Sequence, residues 1–200
     1  MELYDWLKQL ASSAPTPGGG GAAAMTGAMA AGLCAMATAL TVGKKKYECY
    51  RADLERLLDD SEKQTETLHG LIEKDAEAFF PLSKAYGIPK EDPSRDETLE
   101  LALRGAVSAP AEILETLSAL PPMLEELLEK GSKLMISDVG CGASLCASAA
   151  ECALLNVLVN TKLMKDRGYA EELNERTKEA EEKIRSACFA VTAAVKEKLL

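Results

Sequence analysis

The sequence is poor in aromatic residues. They make up only 4% of the 200 residues, with a single tryptophan, and there is also only one histidine. Runs of valine, isoleucine and threonine are scarce, whereas alanine is abundant. Pleated sheets favour β-branched and aromatic side chains, so this composition argues against a sheet protein. We expect an all-α fold, a compact bundle of long helices that includes two buried Ala/Gly-rich helices.

Positive charge is scarce as well. Lysine and arginine number 23 against 32 aspartates and glutamates, which gives a formal net charge of -9. This balance argues against partners that present phosphate, so we expect neither nucleic acid nor a membrane surface as a partner. No linker, repeat or low-complexity segment interrupts the chain, which predicts one domain over residues 1–200.

Metal-ligand spacing is absent too. There is no C-x-x-C pair, His69 is the only histidine, and Cys141, Cys146 and Cys152 lie 5 and 6 residues apart, which scatters them around a helix. We expect no metal, and reduced thiols in a cytoplasmic protein, because the acidic start differs from a signal peptide. The uncharged segment 22–42 is long enough to cross a bilayer. Its alanines, glycines and threonines insert weakly, which favours a buried helix.

Helical periodicity and turn residues predict eight helices. Their expected ranges are 2–11, 22–42, 50–85, 97–109, 112–120, 123–130, 138–165 and 170–200. Prolines are expected to separate the three short helices in the middle of the chain. Ser137 and Asp138 are expected to cap the second apolar helix.

Asp75 is an acidic residue that the helical period places among core residues. In the predicted helix 50–85 it shares a face with Leu57, Leu68 and Phe79, whereas most of the other charges fall away from that face. An ionised carboxylate there is costly unless it is paired. Asp75 therefore either forms a buried ion pair or has a raised pKa and works as a general acid or base.

Small or polar side chains repeat every fourth residue in both apolar helices. In the first, a row of alanines and Gly27 permits close approach of another helix. In the second, a polar row runs from Gly140 to Asn160 and requires hydrogen-bond partners, either on neighbouring helices or on a polar ligand. Asn156 and Asn160 lie one turn apart, where two amides can bind one heterocycle.

A compact basic run and a glycine-rich loop are candidate binding sites for an anionic or electron-rich ligand. The basic run consists of Lys44, Lys45, Lys46 and Tyr47. It is either a solvated helix cap or a positively charged mouth for a carboxylate. The loop consists of Pro17, Gly18, Gly19, Gly20 and Gly21. It offers backbone N–H groups at a helix N-terminus and permits close approach, since it has no side chains after the proline.

Together these segments resemble the formiminotransferase-cyclodeaminase C-terminal family. This family comprises the cyclodeaminase domain of a bifunctional folate enzyme and its free-standing bacterial relatives. The resemblance rests on residues 15–20, 43–47, 75–79 and 137–140, and on Asn156 with Asn160, in the same order along the chain. One departure is Gly21, where the family's loop is expected to carry serine.

The resemblance implies an all-helical homodimer that binds a tetrahydrofolate derivative, with or without a polyglutamate tail, in a groove near the subunit interface. It implies no cofactor beyond this substrate. Asp75 is then the catalytic acid/base, and Lys45 steers the ligand or tunes Asp75. The implied substrate-binding residues are Pro17, Gly18, Gly19, Gly20, Lys44, Lys46, Tyr47, Asp138, Asn156 and Asn160.

The reaction that this resemblance favours is formiminotetrahydrofolate cyclodeamination, in which N10 attacks the N5-formimino carbon, ammonia leaves and 5,10-methenyltetrahydrofolate forms. The alternative is a methenyltetrahydrofolate cyclohydrolase, in which water attacks the methenyl carbon and 10-formyltetrahydrofolate forms. A third hypothesis is a non-catalytic helical interaction module, which has little use for a core-facing aspartate.

Overall fold

The computed structural model describes residues 2–200, and every regular element in that range is helical. The α-helices are α1 (Leu3–Leu10), α2 (Gly19–Ala39), α3 (Arg51–Ala85), α4 (Arg95–Ala106), α5 (Ser108–Leu117), α6 (Leu120–Lys130), α7 (Ile136–Thr161) and α8 (Arg167–Leu199). Two short 3₁₀ helices, Lys45–Tyr50 and Lys133–Met135, precede α3 and α7. The prediction of an all-α bundle is confirmed.

The apolar helix α2 lies between α3 and α7, and α8 packs on the far side of α7. Both neighbours of α2 run antiparallel to it. The first turn of α2 faces the last third of α3 and the end of α7, and the middle of α2 faces Leu68 of α3 and Gly142 near the start of α7. This arrangement buries small side chains where the helices approach closely.

Gly27 shows how close that approach is. A Cβ atom added there would lie 2.9 Å from Leu117 Cδ2 and 3.2 Å from Leu68 Cδ2. Ala23 and Ala31, one turn to either side, are fully buried. The predicted row of small residues is therefore the contact surface of α2 with α3 and α5 over this half of the helix.

The prolines do not separate the short helices in the predicted way. Pro110 is the third residue of α5, and Pro121 and Pro122 lie in the first turn of α6. Proline is tolerated in the first turn because the backbone N–H groups there have no helical partner. These helices therefore begin a few residues before the predicted starts.

The ends of the long helices also differ from prediction. α7 begins at Ile136, so Ser137 and Asp138 lie inside its first turn and cap nothing; the expected cap is wrong. The cap that does form is at α8, where the Asp166 side chain accepts a hydrogen bond from the backbone N–H of Tyr169 at 3.1 Å. Aspartate is a preferred N-cap residue, so Asp166 was a signal in the sequence for the start of α8.

Two segments, Gly19–Ala39 and Lys133–Thr161, are long and apolar enough to cross a membrane by length and composition alone. In each of them 44% of the tested window is buried inside the bundle. Core helices pass the same test, and the contacts of α2 and α7 with four or more other helices are those of core helices.

We predict that Gly27→Ala lowers the free energy of unfolding by about 1–3 kcal/mol, because the added methyl group overpacks the contact with Leu68 and Leu117. Gly70→Ala is the matched control, since Gly70 lies in the middle of α3 with nothing within 4 Å of an added Cβ. It should instead stabilise the protein by about 0.5–1 kcal/mol. Urea denaturation followed by circular dichroism measures both, and equal stability of the two variants would contradict the close contact.

Candidate active site

The carboxylate of Asp75 lies directly against the first turn of α2. A Cβ atom added to Gly20 would clash with both carboxylate oxygens and would lie 2.7 Å from Oδ2. The backbone N–H of Gly21 lies close enough to the carboxyl group to lower its pKa. The carboxylate thus lies at the N-terminus of α2, where free backbone N–H groups favour an anion.

Asn156 of α7 occupies the neighbouring position on the same turn of α2. A Cβ atom at Gly19 would lie 2.8 Å from its Nδ2 and 3.1 Å from its Oδ1. Asn156 and Asp75 therefore approach α2 from its two flanking helices, at adjacent glycines. The structure thus brings together three of the predicted elements: the glycine loop, Asp75 and Asn156.

Burial raises the pKa of the Asp75 carboxyl group, and the hydrogen bond from the Gly21 backbone lowers it by a smaller amount. The net shift is upward. No basic group within residues 2–200 forms an ion pair with Asp75. Of the two roles that the sequence left open, the geometry therefore favours an acid/base group over a structural ion pair.

A cavity of about 590 Å³ lies on the adjoining face of α3, and Asp75 is not among the residues that line it. Its walls come from α1, the proline loop and the turns of α3 on either side of Asp75. The lining residues include Trp6, Thr16, Pro17, His69, Ile72, Glu73 and Ala76. Sequence reasoning did not assign Trp6 or His69 to the site. Both were nevertheless marked in the sequence, because they are the single tryptophan and the single histidine of the chain.

The basic run lies at the other end of the bundle. Lys44, Lys45 and Lys46 follow the C-terminal end of α2, and Gly20 lies near its start, so the two groups are about 30 Å apart in one protomer. The side chains of these three lysines are exposed. Tyr47 lies beside them and accepts a hydrogen bond from the backbone N–H of Lys133 at 3.4 Å.

Asp138 belongs to this second group, since it lies in the first turn of α7, about 27 Å from Asn156 along the helix. One protomer therefore does not bring all the predicted site residues together. Helix direction explains the split, because residues at opposite ends of α2 or α7 stay apart by the full helix length.

The polar row of α7 is satisfied largely within its own helix. Ser144 and Ser148 donate hydrogen bonds to the carbonyls of residues 140 and 144, both at 3.0 Å. Asn156 Nδ2 donates to the Cys152 carbonyl, and Asn160 Nδ2 donates to the Asn156 carbonyl, each at 2.8 Å. Asn160 is buried, whereas Asn156 is half-buried beside Gly19, so Asn156 is the better placed of the two for a ligand.

Across residues 2–200, no three histidine, cysteine, aspartate or glutamate side chains gather as metal ligands. The chemistry that these residues themselves can supply is proton transfer by Asp75, with backbone and amide groups of α2 and α7 as hydrogen-bond partners.

Comparison with known proteins identifies the family of this chain. The sequence profile of the formiminotransferase-cyclodeaminase family matches residues 2–179. The chain belongs to this family. The resemblance found in the sequence is therefore confirmed.

The relatives are enzymes named for folate conversions. The methenyltetrahydrofolate cyclohydrolase of Methylorubrum extorquens is 43% identical over 90% of this chain and 86% of its own length. The pig formimidoyltransferase-cyclodeaminase is 32% identical over 87% of the chain, which covers 33% of that longer protein. The crystal structure of formiminotetrahydrofolate cyclodeaminase from Thermotoga maritima superposes with a TM-score of 0.91 at 31% identity, covering 100% of this chain and 98% of that one. Both activities expected from the sequence occur among these relatives.

The upward pKa shift of Asp75 predicts a specific pH dependence of stability. Because its folded-state pKa is raised, Asp75 stabilises the fold fully only below the unfolded pKa of about 3.9 and loses that contribution as the pH rises through the folded pKa. Asp75→Asn should therefore have a higher free energy of unfolding than the wild type at neutral pH. The difference should vanish in acid.

Asp92→Asn is the control of opposite sign. Hydrogen bonds from the Ser94 hydroxyl and backbone N–H lower the pKa of Asp92. Its removal should destabilise the protein at neutral pH, with the difference again shrinking in acid. Denaturation curves between about pH 3 and pH 8 measure both variants. A loss of stability in Asp75→Asn at neutral pH would contradict the upward shift.

Proposed function

We propose that this protein acts on the one-carbon bridge between N5 and N10 of tetrahydrofolate, as a methenyltetrahydrofolate cyclohydrolase. The observation that carries the proposal is the half-buried carboxyl group of Asp75, which has no ion-pair partner in the described chain and lies against the glycine-rich N-terminus of α2. The 43% identity to a cyclohydrolase of nearly the same length supports this activity over its alternative.

The reaction needs one group that moves protons twice. A water molecule adds to the methenyl carbon, Asp75 accepts one of its protons, and the bond between this carbon and N5 breaks as the formyl C=O forms. Asp75 returns a proton to N5, and the second proton of the original water leaves to solvent. A carboxyl group with a raised pKa is suited to both steps, since both protonation states are accessible.

Formiminotetrahydrofolate cyclodeamination is the second candidate, and the TM-score of 0.91 to a cyclodeaminase favours it. Here N10 attacks the N5-formimino carbon, Asp75 takes the proton from N10, and it delivers a proton to the departing nitrogen so that ammonia leaves. Orientation and the same acid/base group suffice. In both reactions Asn156 and the backbone of the glycine loop bind the ligand beside Asp75, without a further cofactor or metal.

We also propose that the protein is a homodimer and that it works in the cytoplasm. The outer faces of α2 and α7 support the dimer, because α2 carries no charge and α7 carries only two acidic residues. Large apolar side chains are exposed along these faces: Met29, Met36, Leu155 and Val159. Such a patch is typical of a subunit interface.

A dimer also accounts for the distance between Asp75 and Lys45. If the two-fold axis crosses α2 at right angles, the helices of the two protomers run antiparallel. The basic run of one protomer then lies at the Asp75 end of its partner. In this arrangement Lys45 steers the substrate into the partner's site.

For the activity, we expect Asp75→Asn to lower kcat by about 10²-fold or more, the usual effect of losing a general acid/base. The near-ultraviolet absorbance of the methenyl group measures turnover. Loss of this absorbance from methenyltetrahydrofolate reports the cyclohydrolase, and its appearance from formiminotetrahydrofolate reports the cyclodeaminase. Asp92→Asn serves as the control and should retain its activity. Near wild-type turnover by Asp75→Asn would remove Asp75 from the mechanism.

For the dimer, we expect the double variant Met29→Glu/Leu155→Glu to be monomeric, because the charges cannot be buried in an apolar interface. Leu101→Glu is the matched control, since Leu101 is a large apolar residue that is 73% exposed on α4, away from this face. It should remain a dimer. Sedimentation velocity measures the mass of each, and a monomeric wild type would refute the interface.

A further inference from the structure

The cavity of about 590 Å³ beside α1 has an aromatic wall. Trp6, which is only 7% exposed, lines it together with Pro17 and Ile72. Gln9 Nε2 donates a hydrogen bond to the Thr16 carbonyl at 3.1 Å and thereby ties α1 to the proline loop. We call this cavity the tryptophan pocket. Its volume is in the range of small-molecule sites, and its apolar wall with an indole ring suits a planar aromatic ligand.

Two polar side chains of the tryptophan pocket lie one turn apart on α3. They are His69 and Glu73, and both are exposed at the surface of the helix. Glu73 forms no ion pair with any residue of the 2–200 range. The residues that line the pocket include no lysine or arginine, and Glu73 is the one charged residue among them. The pocket therefore does not suit an anionic group, whereas its carboxylate can accept hydrogen bonds from N–H groups at the edge of a ring.

The first turn of α2 lies between the tryptophan pocket and Asp75. A Cβ atom added to Gly21 would lie 3.6 Å from Pro17 Cβ and 3.7 Å from Trp6 Cζ2, two residues that line the pocket. A Cβ atom added to the preceding residue, Gly20, would instead meet the carboxylate of Asp75. The pocket and the proton-transfer group are therefore on two sides of one helical turn. A ligand that binds in the pocket and passes around this turn comes close to Asp75.

A pterin ring has the groups that complement this pocket. It is planar and aromatic, so it can stack on an apolar wall that contains an indole. Its 2-amino group and the neighbouring N3–H are two parallel donors, and one carboxylate can accept both, as it does from a guanidinium group. The adjacent 4-oxo group is an acceptor, and the imidazole of His69, one turn from Glu73, can donate to it.

We propose that the tryptophan pocket binds the pterin ring of the tetrahydrofolate substrate, and that Glu73 selects its 2-amino-4-oxo edge. This inference rests on the proposed folate activity, and it adds Trp6, His69 and Glu73 to the residues that contact the substrate. N5 lies at the opposite edge of the ring system, so it is held away from Glu73, towards the turn of α2 that adjoins Asp75. The pocket contributes affinity and selectivity, whereas proton transfer stays with Asp75.

The test uses the fluorescence of Trp6, which is the single tryptophan of the chain. The probe is 6-methyltetrahydropterin, which has no p-aminobenzoylglutamate, and it should quench the emission of the wild type with saturation. The variant is Glu73→Gln. The matched control is Glu77→Gln, because Glu77 is an exposed glutamate one turn further along α3, outside the pocket and without an ion pair in the described chain. The control should bind as the wild type does, and Glu73→Gln about 10–100-fold more weakly.

A second probe separates selection of the ring edge from a structural effect. It is the lumazine counterpart of the same ring, in which an oxo group replaces the 2-amino group. The wild type and the Glu77→Gln control should bind it at least about tenfold more weakly than the pterin, because the carboxylate of Glu73 would face a second acceptor. Glu73→Gln should lose most of this preference, since a glutamine amide can both donate and accept.

Steady-state kinetics with the folate substrate complete the test. Glu73→Gln should raise KM about tenfold or more with kcat unchanged, the reverse of the pattern expected for Asp75→Asn. If the wild type binds the pterin with this selectivity but turns over neither folate, the proposed activity fails and the pocket stands. If the wild type is active but the pterin leaves the fluorescence unchanged, the lumazine binds equally well, or Glu73→Gln behaves as the control does, the pocket proposal is overturned.

Discussion

The contact between the first turn of α2 and Asp75 of α3 is the constraint on which the rest of the site depends. It exists only because residues 19 and 20 have no side chains, so that Asn156 and Asp75 can lie against the backbone from either side. Any larger residue at Gly20 would occupy the space of the carboxylate. The same contact half-buries Asp75 without a basic partner, and this burial raises its pKa.

Small residues along α2 extend this close contact beyond the first turn of the helix. Close approach at Gly27 sets how far apart α2, α3 and α5 lie, and the antiparallel direction of α3 then places Asp75 at the glycine loop. The chain has few aromatic residues because its central contacts are between helices whose facing side chains are small. Low aromatic content and a tightly held carboxylate are thus two results of one packing scheme.

Charge is distributed in a way that matches these roles. Acidic residues outnumber basic ones, whereas α2 has no charged residue and the basic run Lys44–Lys46 follows its C-terminal end. An uncharged face suits association with a second copy, and a basic run in an acidic protein attracts anions locally while the rest of the surface repels them. The proton-transfer group and the basic run lie at opposite ends of α2.

The sequence by itself determined the helical class, the burial of α2, the core-facing position of Asp75 and the family, because helical periodicity and ordered motifs are local properties of the chain. It predicted proline boundaries and the Ser137-Asp138 cap incorrectly, because proline and capping residues are compatible with more than one position in the first turn. Only the tertiary structure decided that Asn156 rather than Asn160 adjoins the glycine loop, and that Lys44, Lys45 and Lys46 lie about 30 Å from Asp75. The physical reason is helix direction. Residue types and their spacing do not determine which ends of two packed helices lie together, because that is decided by the packing of side chains between the helices.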